Sequence, residues 1–600
     1  MKKLKKIMSA MVCGALAGCM TLGLVACGGG KGSGEIDFWY STSVPNGRII
    51  SEMIEAYNNG QGKEDGVKVT GDNRGQIGRT DFMVDPPNVV MLTDEYFKQF
   101  AVEDYYLDLT QYYEEMPGSY KEEEIPASFS RAFRIDKEDD ANGKRMAGEG
   151  AAIQGIPFGA NPMVLYYSKS VFENSGIKIV SCEEKNLATK YPGLQPHGYA
   201  EYTAENGAKP PVEGATASEN LAGEQVYKIF NNLIPMNWEE YRYLSKCFTT
   251  SYNEESPTDY GSMMHHWFSM GWSVGGDCVG YDGEKYTFTA LDDSDNYLVT
   301  AQDGVTVNGR HYAAGEVVRY EDKVQQSDIA TMSGLHILPS QGTAMREFIN
   351  FTVPREKTGG MVATGYGVSS GMNEAIDALY SAANRVAMAS GTLGQTTTLE
   401  VSYKGQYDIM FPPQWREYKG GSVYYTGEET FANEYLKVIG KQYGGSVYTG
   451  ELDKDAVSGV PFVGRQTGYA TFYTLLIPEN SDSENYEAAW KFIRWAASEE
   501  GQKIYMKTGN VPNQSVLALS DEFAALGGDR NFRAAAMAAQ GAEIGDWAYF
   551  NNGAWVDKWA GNFNQALRLG YSTPEKFMSD FAGIANNDIG KVSIVMNGRW

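Results

Sequence analysis

The chain has 600 residues, a formal net charge of −25 and a pI near 4.7, with no basic stripe to set against a polyanion, so nucleic acid is excluded as a partner. Aromatic residues make up 12% of it, with 39 tyrosines and 11 tryptophans. That excess packs cores, and it also suits a ligand held by stacking.

The chain opens with Lys2, Lys3, Lys5 and Lys6 and then runs apolar from Ile7 to Ala26, the layout of a secretory signal peptide. An uncleaved membrane helix is the alternative, since the run is nearly long enough to span a bilayer. Leu24, Val25, Ala26 and Cys27, followed by Gly28 to Gly30, resemble the lipobox of bacterial lipoproteins. That resemblance implies removal of residues 1–26, a lipid such as palmitate on Cys27, and a flexible tether over 27–34. Cys182, Cys247 and Cys278 then remain, too few and too scattered for a disulfide framework, although one pair stays open.

From Glu35 to Tyr40 a strand is expected, with Trp39 and Tyr40 at its exit and the loop Ser41 to Ser43 after it. Ile49, Ile50, Met53, Ile54 and Tyr57 recur at helical spacing, and Val67 to Val69 starts another strand. Asn88 to Leu92 gives a third strand, followed by a helix with Asp94 and Glu95 in its first turn, where acids complement the helix dipole. In open α/β sheets ligands sit beyond the carboxyl ends of strands, so both loops should face one cleft. Capping and ligand contact are equally open for the two acids.

In the stretch Gly155 to Gly176, Pro157 enforces an extended backbone and Met163 to Tyr167 read as a buried strand. A polar loop, Gly159 to Asn161, is expected between them, with Asn161 able to donate and accept; Ser168 or Ser170 should cap a helix that ends at Gly176. Residues 178 to 234 are polar and rich in Gly, Pro and Glu, and read as a surface excursion without function. Asn237 should cap a helix through Leu244. His265 and His266 are adjacent, which is no metal-ligand pattern, and Asp292, Asp293 and Asp295 do not fit a calcium loop. Asn308 and Gly309 mark a hairpin turn within a β-rich insertion at about 280–335. Phe462 to Pro478 reads as a β segment; Ser481 and Glu484 have capping-box spacing before a helix with Ala489, Phe492, Ile493 and Ala496 on one face.

Several of these pieces, taken in order, resemble the extracellular solute-binding proteins of ABC importers, in the carbohydrate-binding group that includes maltose-binding protein. The matching elements are Ile156-Pro157-Phe158 with Lys169, Phe172 and Gly176; Asn88 to Val90 with Asp94; and Pro235 to Glu239. Further along come Trp267 to Gly276, Arg385 to Met388, and Ala489 with Phe492, Gly501, Gln502, Gly509 and Pro512. Asn88 and Asn237 replace the family's aspartate and threonine.

The resemblance implies an α/β, two-lobed periplasmic-binding-protein type II fold, each lobe a mixed sheet flanked by helices, with a hinge between lobes. It places the amino-terminal lobe at 35–160 plus about 461–510 and the carboxyl-terminal lobe at 161–460 plus about 511–600, with crossings near Phe158 to Asn161, Val460 and Val511. Candidate ligand-binding residues are Trp39, Tyr40, Asp94, Glu95, Asn161, Trp272, Thr392, Trp415, Tyr469, Trp547 and Trp555. The implied protein is a monomer without catalytic activity, metal or cofactor, anchored by lipid to the outer face of the membrane, which hands a sugar or oligosaccharide to permease subunits. Two alternatives stand beside it, an anchored glycoside hydrolase and an adhesion or sensory lipoprotein with the same fold.

Overall fold

The computed structural model describes residues 34–264 apart from 76, 142 and 206–208, residues 385–414 and 467–545, short segments between 269 and 381, and parts of 417–463 and 554–597. The signal and tether segments, Cys27, Trp415, Trp547, the two adjacent histidines, the Asp292 to Asp295 acids and the expected crossing at Val460 lie outside the described residues.

One strand organises the rest. Pro157 excludes helix before Phe158, and the apolar residues that follow extend the strand over Ile156–Ser168, thirteen residues in all. The expected loop at Gly159 to Asn161 is part of this strand, because its backbone pairs with residues 471–473 of the antiparallel strand Gly468–Leu476, from Asn161 opposite Thr471 to Gly159 opposite Tyr473. At Pro162 and Met163 the crossing strand changes partner: Pro162 is the last residue opposite Gly468–Leu476, and Met163 the first opposite Val386–Thr392.

Two parallel three-stranded groups therefore flank a central antiparallel pair. On one side lie Val89–Thr93, Glu35–Tyr40 and Lys68–Asn73; on the other, Val386–Thr392, Tyr260–Met264 and Gly367–Ser369. Helix Val44–Asn59 covers the first group with Ile50, Met53, Ile54 and Tyr57, the face that its spacing predicts. Helix Tyr486–Ala496 buries Phe492 against Phe38 and Tyr57, with ring centroids 5.2 Å apart in both pairs. The expected capping box is absent: Asp482 caps the 3-10 turn Ser483–Asn485 before this helix, accepting from the Glu484 N–H at 3.1 Å, while Ser481 donates to the Pro478 carbonyl. Ser168 accepts from the Val171 N–H at 3.4 Å and Gly176 adopts φ +75°, a left-handed conformation suited to glycine. Asn237 caps its helix through the Glu240 N–H at 2.8 Å.

Gly159 lies against the ring of Tyr505, which also packs on Phe158 with centroids 4.2 Å apart. A β-carbon there overlaps that ring. Gly159→Ala is accordingly expected to cost about 1–3 kcal/mol of stability through overpacking, measurable as a lower denaturant midpoint at unchanged m-value.

One expectation is corrected. Residues 178–234 are no bare excursion: Ile177–Val180, Gln225–Asn231, Tyr199–Thr203 and Ser218–Glu219 form a four-stranded sheet over a core that includes Val180, Leu187, Leu194 and Ile229. These apolar residues are too far apart in sequence to show a period, and only strand pairing collects them. At the chain end, Ile594–Asn597 runs parallel to Arg145–Gly148, where Ile594 is buried. The expected hairpin forms, Val305–Val307 pairing with Arg310–Tyr312 around Gly309 at φ +80°. Among the described residues no helix is long and apolar enough to cross a membrane.

Candidate functional site

The candidate site lies where the crossing strand changes partner. Every residue of Ile156–Ser168 is buried except Asn161. Its Oδ1 accepts the Gly394 N–H at 2.8 Å, and its amide hydrogen-bonds the Tyr473 hydroxyl. One side chain thus ties the crossing strand both to the turn that follows Val386–Thr392 and to the neighbouring strand Gly468–Leu476.

That neighbouring strand alternates, with Tyr469, Thr471 and Tyr473 half-buried between the buried Ala470, Phe472 and Thr474. By strand geometry the three share one face. Each carries a hydroxyl, and those of Tyr469 and Thr471 are 2.9 Å apart. Phe472 points the other way and stacks on Phe129 at 4.6 Å, which anchors the strand to the core. Its end is fixed by Glu543, opposite Tyr469 in register, whose carboxylate takes two 2.6 Å contacts from Arg131.

Asp94 begins the helix Asp94–Ala101 directly after Val89–Thr93, and Thr93 pairs with Tyr473. Its Oδ1 accepts the Phe472 N–H at 2.8 Å. Burial raises the Asp94 carboxyl to about 7, against the opposing pull of that hydrogen bond and of Lys98 one turn on, which is itself fully buried. Burial also lifts the Tyr473 hydroxyl to about 12 and pushes that of Tyr469 well up, with Asp94 adding to both. The tyrosines remain neutral, able to donate as well as accept.

The structure gathers Asp94, Asn161 and Tyr469 of the expected residues, with Thr392 at the base of the Gly394 turn. Thr392 is buried and its carbonyl accepts from Tyr166 at 2.7 Å. Trp272 is fully enclosed, and its short helix Ser269–Trp272 packs against Gly468–Leu476. Glu95 is exposed beside the buried Asp94. One face of Trp39 is covered by Arg74, 3.2 Å above the ring and held by Asp72 and Asp81 at 2.9 and 3.2 Å.

Two other expected residues are held in the core. Tyr40 lies on the opposite face of its strand from Trp39, packed against Phe38 with its hydroxyl 3.5 Å from Ser51 on the covering helix. Trp555 is buried against Phe288, in an aromatic cluster with Trp559 and Phe581. Sequence reasoning missed Thr471, Tyr473 and Gly394. The alternation Tyr469, Thr471, Tyr473 was a signal for the first two; Gly394, which contributes only its backbone N–H, left no side-chain signal.

Among the described residues no group of three His, Cys, Asp or Glu is placed to hold a metal ion. A cavity of about 540 Å³ between Asp65, Glu115, Arg494, Trp495 and Lys503 lies away from the site.

Two parallel groups of strands and a central antiparallel pair thus form one mixed α/β sheet flanked by helices, with a polar seam where the crossing strand changes partner. Residues 356–528 match the family described as bacterial extracellular solute-binding protein. The chain is similar in fold to the cyclic alpha-maltosyl-1,6-maltose binding protein of Arthrobacter globiformis, at TM-score 0.51 and 12% identity over 93% of this chain and 100% of that one. An ABC substrate-binding protein of Listeria monocytogenes in complex with cycloalternan gives TM-score 0.47 and 13% identity over 93% and 99%. No curated protein sequence matches the chain.

Proposed function

We propose that this protein is an exported, lipid-anchored solute-binding protein that captures a sugar or oligosaccharide at the seam around Asn161 and passes it to an ABC permease. The observation that carries the reading is Asn161, the one unburied residue of the crossing strand, joined to Gly394 and set beside the hydroxyls of Tyr469, Thr471 and Tyr473. A pyranose presents hydroxyls at its edge and C–H groups on its faces. The seam supplies amide and phenol groups for the edge, and the half-buried Tyr469 and Tyr473 supply ring surface. The Arthrobacter neighbour, named for a maltosyl-maltose ligand, supports the same ligand class.

Closure of the two lobes over ligand would follow its differential affinity for the closed form. The lobes are proposed to meet near Pro162, where the crossing strand changes partner, and lipid on Cys27 would hold the protein beside its permease. Binding should appear as a rise in melting temperature with one class of oligosaccharide, since ligand stabilises the folded state by mass action. Asn161→Ala is expected to weaken that binding about tenfold or more while leaving the melting temperature of the free protein within a few degrees, read by titration calorimetry. Binding unchanged in Asn161→Ala would refute the site. Loss of lipid labelling in Cys27→Ser checks the anchor.

A hydrolase needs two carboxyl groups flanking one bond. Asp94 is buried and engaged by the Phe472 N–H, and Glu95 is exposed, so the adjacent pair supports capture over turnover. Incubation with the bound oligosaccharide should return it intact.

A further inference from the structure

The module formed by residues 178–234 does more than fill space. Its strand Tyr199–Thr203 and the helix Trp238–Cys247 line an open cleft of about 490 Å³. Glu201 is among the residues that line it. One carboxylate oxygen accepts the Tyr199 hydroxyl at 2.8 Å; the other accepts the Tyr243 hydroxyl at 3.1 Å and the Asn220 amide at 3.0 Å. Three donors fix the carboxylate, and one acceptor direction is left for a ligand, since its two oxygens offer about four lone pairs.

Tyr199 and Tyr243 stack with planes 27° apart and centroids 6.2 Å apart. Tyr199 is the inner ring, buried, while the half-buried Tyr243 lines the cavity. The cations at the rim are also oriented. Arg242 donates to both oxygens of Glu347, at 3.0 and 2.6 Å, and Lys246 lies 5.3 Å over the Tyr252 ring. Burial raises both tyrosine hydroxyls, so neutral donors hold the Glu201 carboxylate, while Glu239 and Glu240 line the same cleft. A concave site with a ring surface and a few converging, prearranged polar groups is the common form of a small-ligand site. An aromatic face beside a fixed carboxylate matches the C–H face and hydroxyl edge of a sugar ring.

We infer that this cavity is a second saccharide-binding site, separate from the seam at Asn161, taking a short stretch of a neutral glycan chain. It shares a ligand class with the site proposed above but none of its residues. Wild type, Asn161→Ala, Tyr243→Ala, Tyr243→Phe and Glu201→Gln are to be titrated with malto-, cello-, xylo- and manno-oligosaccharides, and bound copies counted by native mass spectrometry. A second bound copy is expected in wild type and in Tyr243→Phe, which keeps the ring. Tyr243→Ala and Glu201→Gln should weaken that copy about tenfold, the scale of one lost stacking contact or one hydrogen bond to a charge. In Asn161→Ala the copy lost should be the other one. At most one copy of every sugar, or a second copy indifferent to Tyr243→Ala and Glu201→Gln, overturns the inference. Glu201→Gln preserves side-chain shape and decides the matter if Tyr243→Ala does not fold. Failure of the seam reading looks different: Asn161→Ala then changes nothing, while the copy that depends on Glu201 persists.

Discussion

Replacing Asp408 with alanine is expected to lower the free energy of unfolding by about 3–5 kcal/mol, the largest single-residue loss foreseen for this chain. Asp408 lies in Tyr407–Met410, which pairs with the second half of the crossing strand. Its Oδ2 accepts the Tyr167 hydroxyl at 3.0 Å and the Asn232 amide at 3.1 Å; its Oδ1 accepts the N–H groups of Ile409 at 2.7 Å and Asn531 at 2.6 Å. Asn531 in turn caps the helix Phe532–Gln540 and donates to the Asn232 carbonyl at 3.0 Å. Alanine would strand four buried or half-buried donors at once, and no water-sized replacement is covalently held there. Asp408→Asn should cost less but remain clearly destabilising, because its amide turns one acceptor into a donor facing donors. Urea unfolding of both variants measures this; a loss below about 1 kcal/mol in Asp408→Ala would contradict it.

The second large effect is a pH dependence at Asp94. Its carboxyl rises from an ordinary 3.8 to about 7 in the fold, chiefly through burial. The folded state therefore holds this proton more tightly than the unfolded chain does. The resulting stability is fully present below the unfolded value, near pH 4, and is lost as pH rises to about 7; above that both states are ionised and the curve is flat. A displacement of about three units corresponds to roughly 4 kcal/mol across the window, as an order of magnitude. Asp94→Asn should flatten the stability curve between pH 4.5 and about 7. The slope is the readout. An Asp94→Asn curve as steep as that of wild type would place the titrating group elsewhere.

Much of this architecture was readable from residue patterns. The opening strand, the helix with Ile50, Met53, Ile54 and Tyr57 inward, the Asn237 cap and the Phe492 helix each follow from local period or local hydrogen bonding. Asp94 and Tyr469 stood near element ends, where changes of structure are visible in the sequence, whereas Asn161, expected in a loop, lies within the crossing strand. Trp555 and Tyr40 were placed less well, because an aromatic residue at an element end looks the same whether its ring meets solvent or a neighbouring layer. The 178–234 module was missed for a similar reason, its core residues being collected by strands that pair across dozens of positions.

By itself the sequence determined the segments: which residues extend, which coil into helices, and that the breaks at Gly176 and Gly309 fall where backbone freedom requires them. The tertiary structure alone decided which half-exposed face each strand presents and what sits opposite it. Burial of Asp94, the contact of Asn161 with Gly394 and the grouping of Tyr199, Glu201 and Tyr243 all join residues distant in the chain or on different elements. Such contacts depend on strand register and on how layers pack, and neither quantity is encoded in any window short enough to show a period.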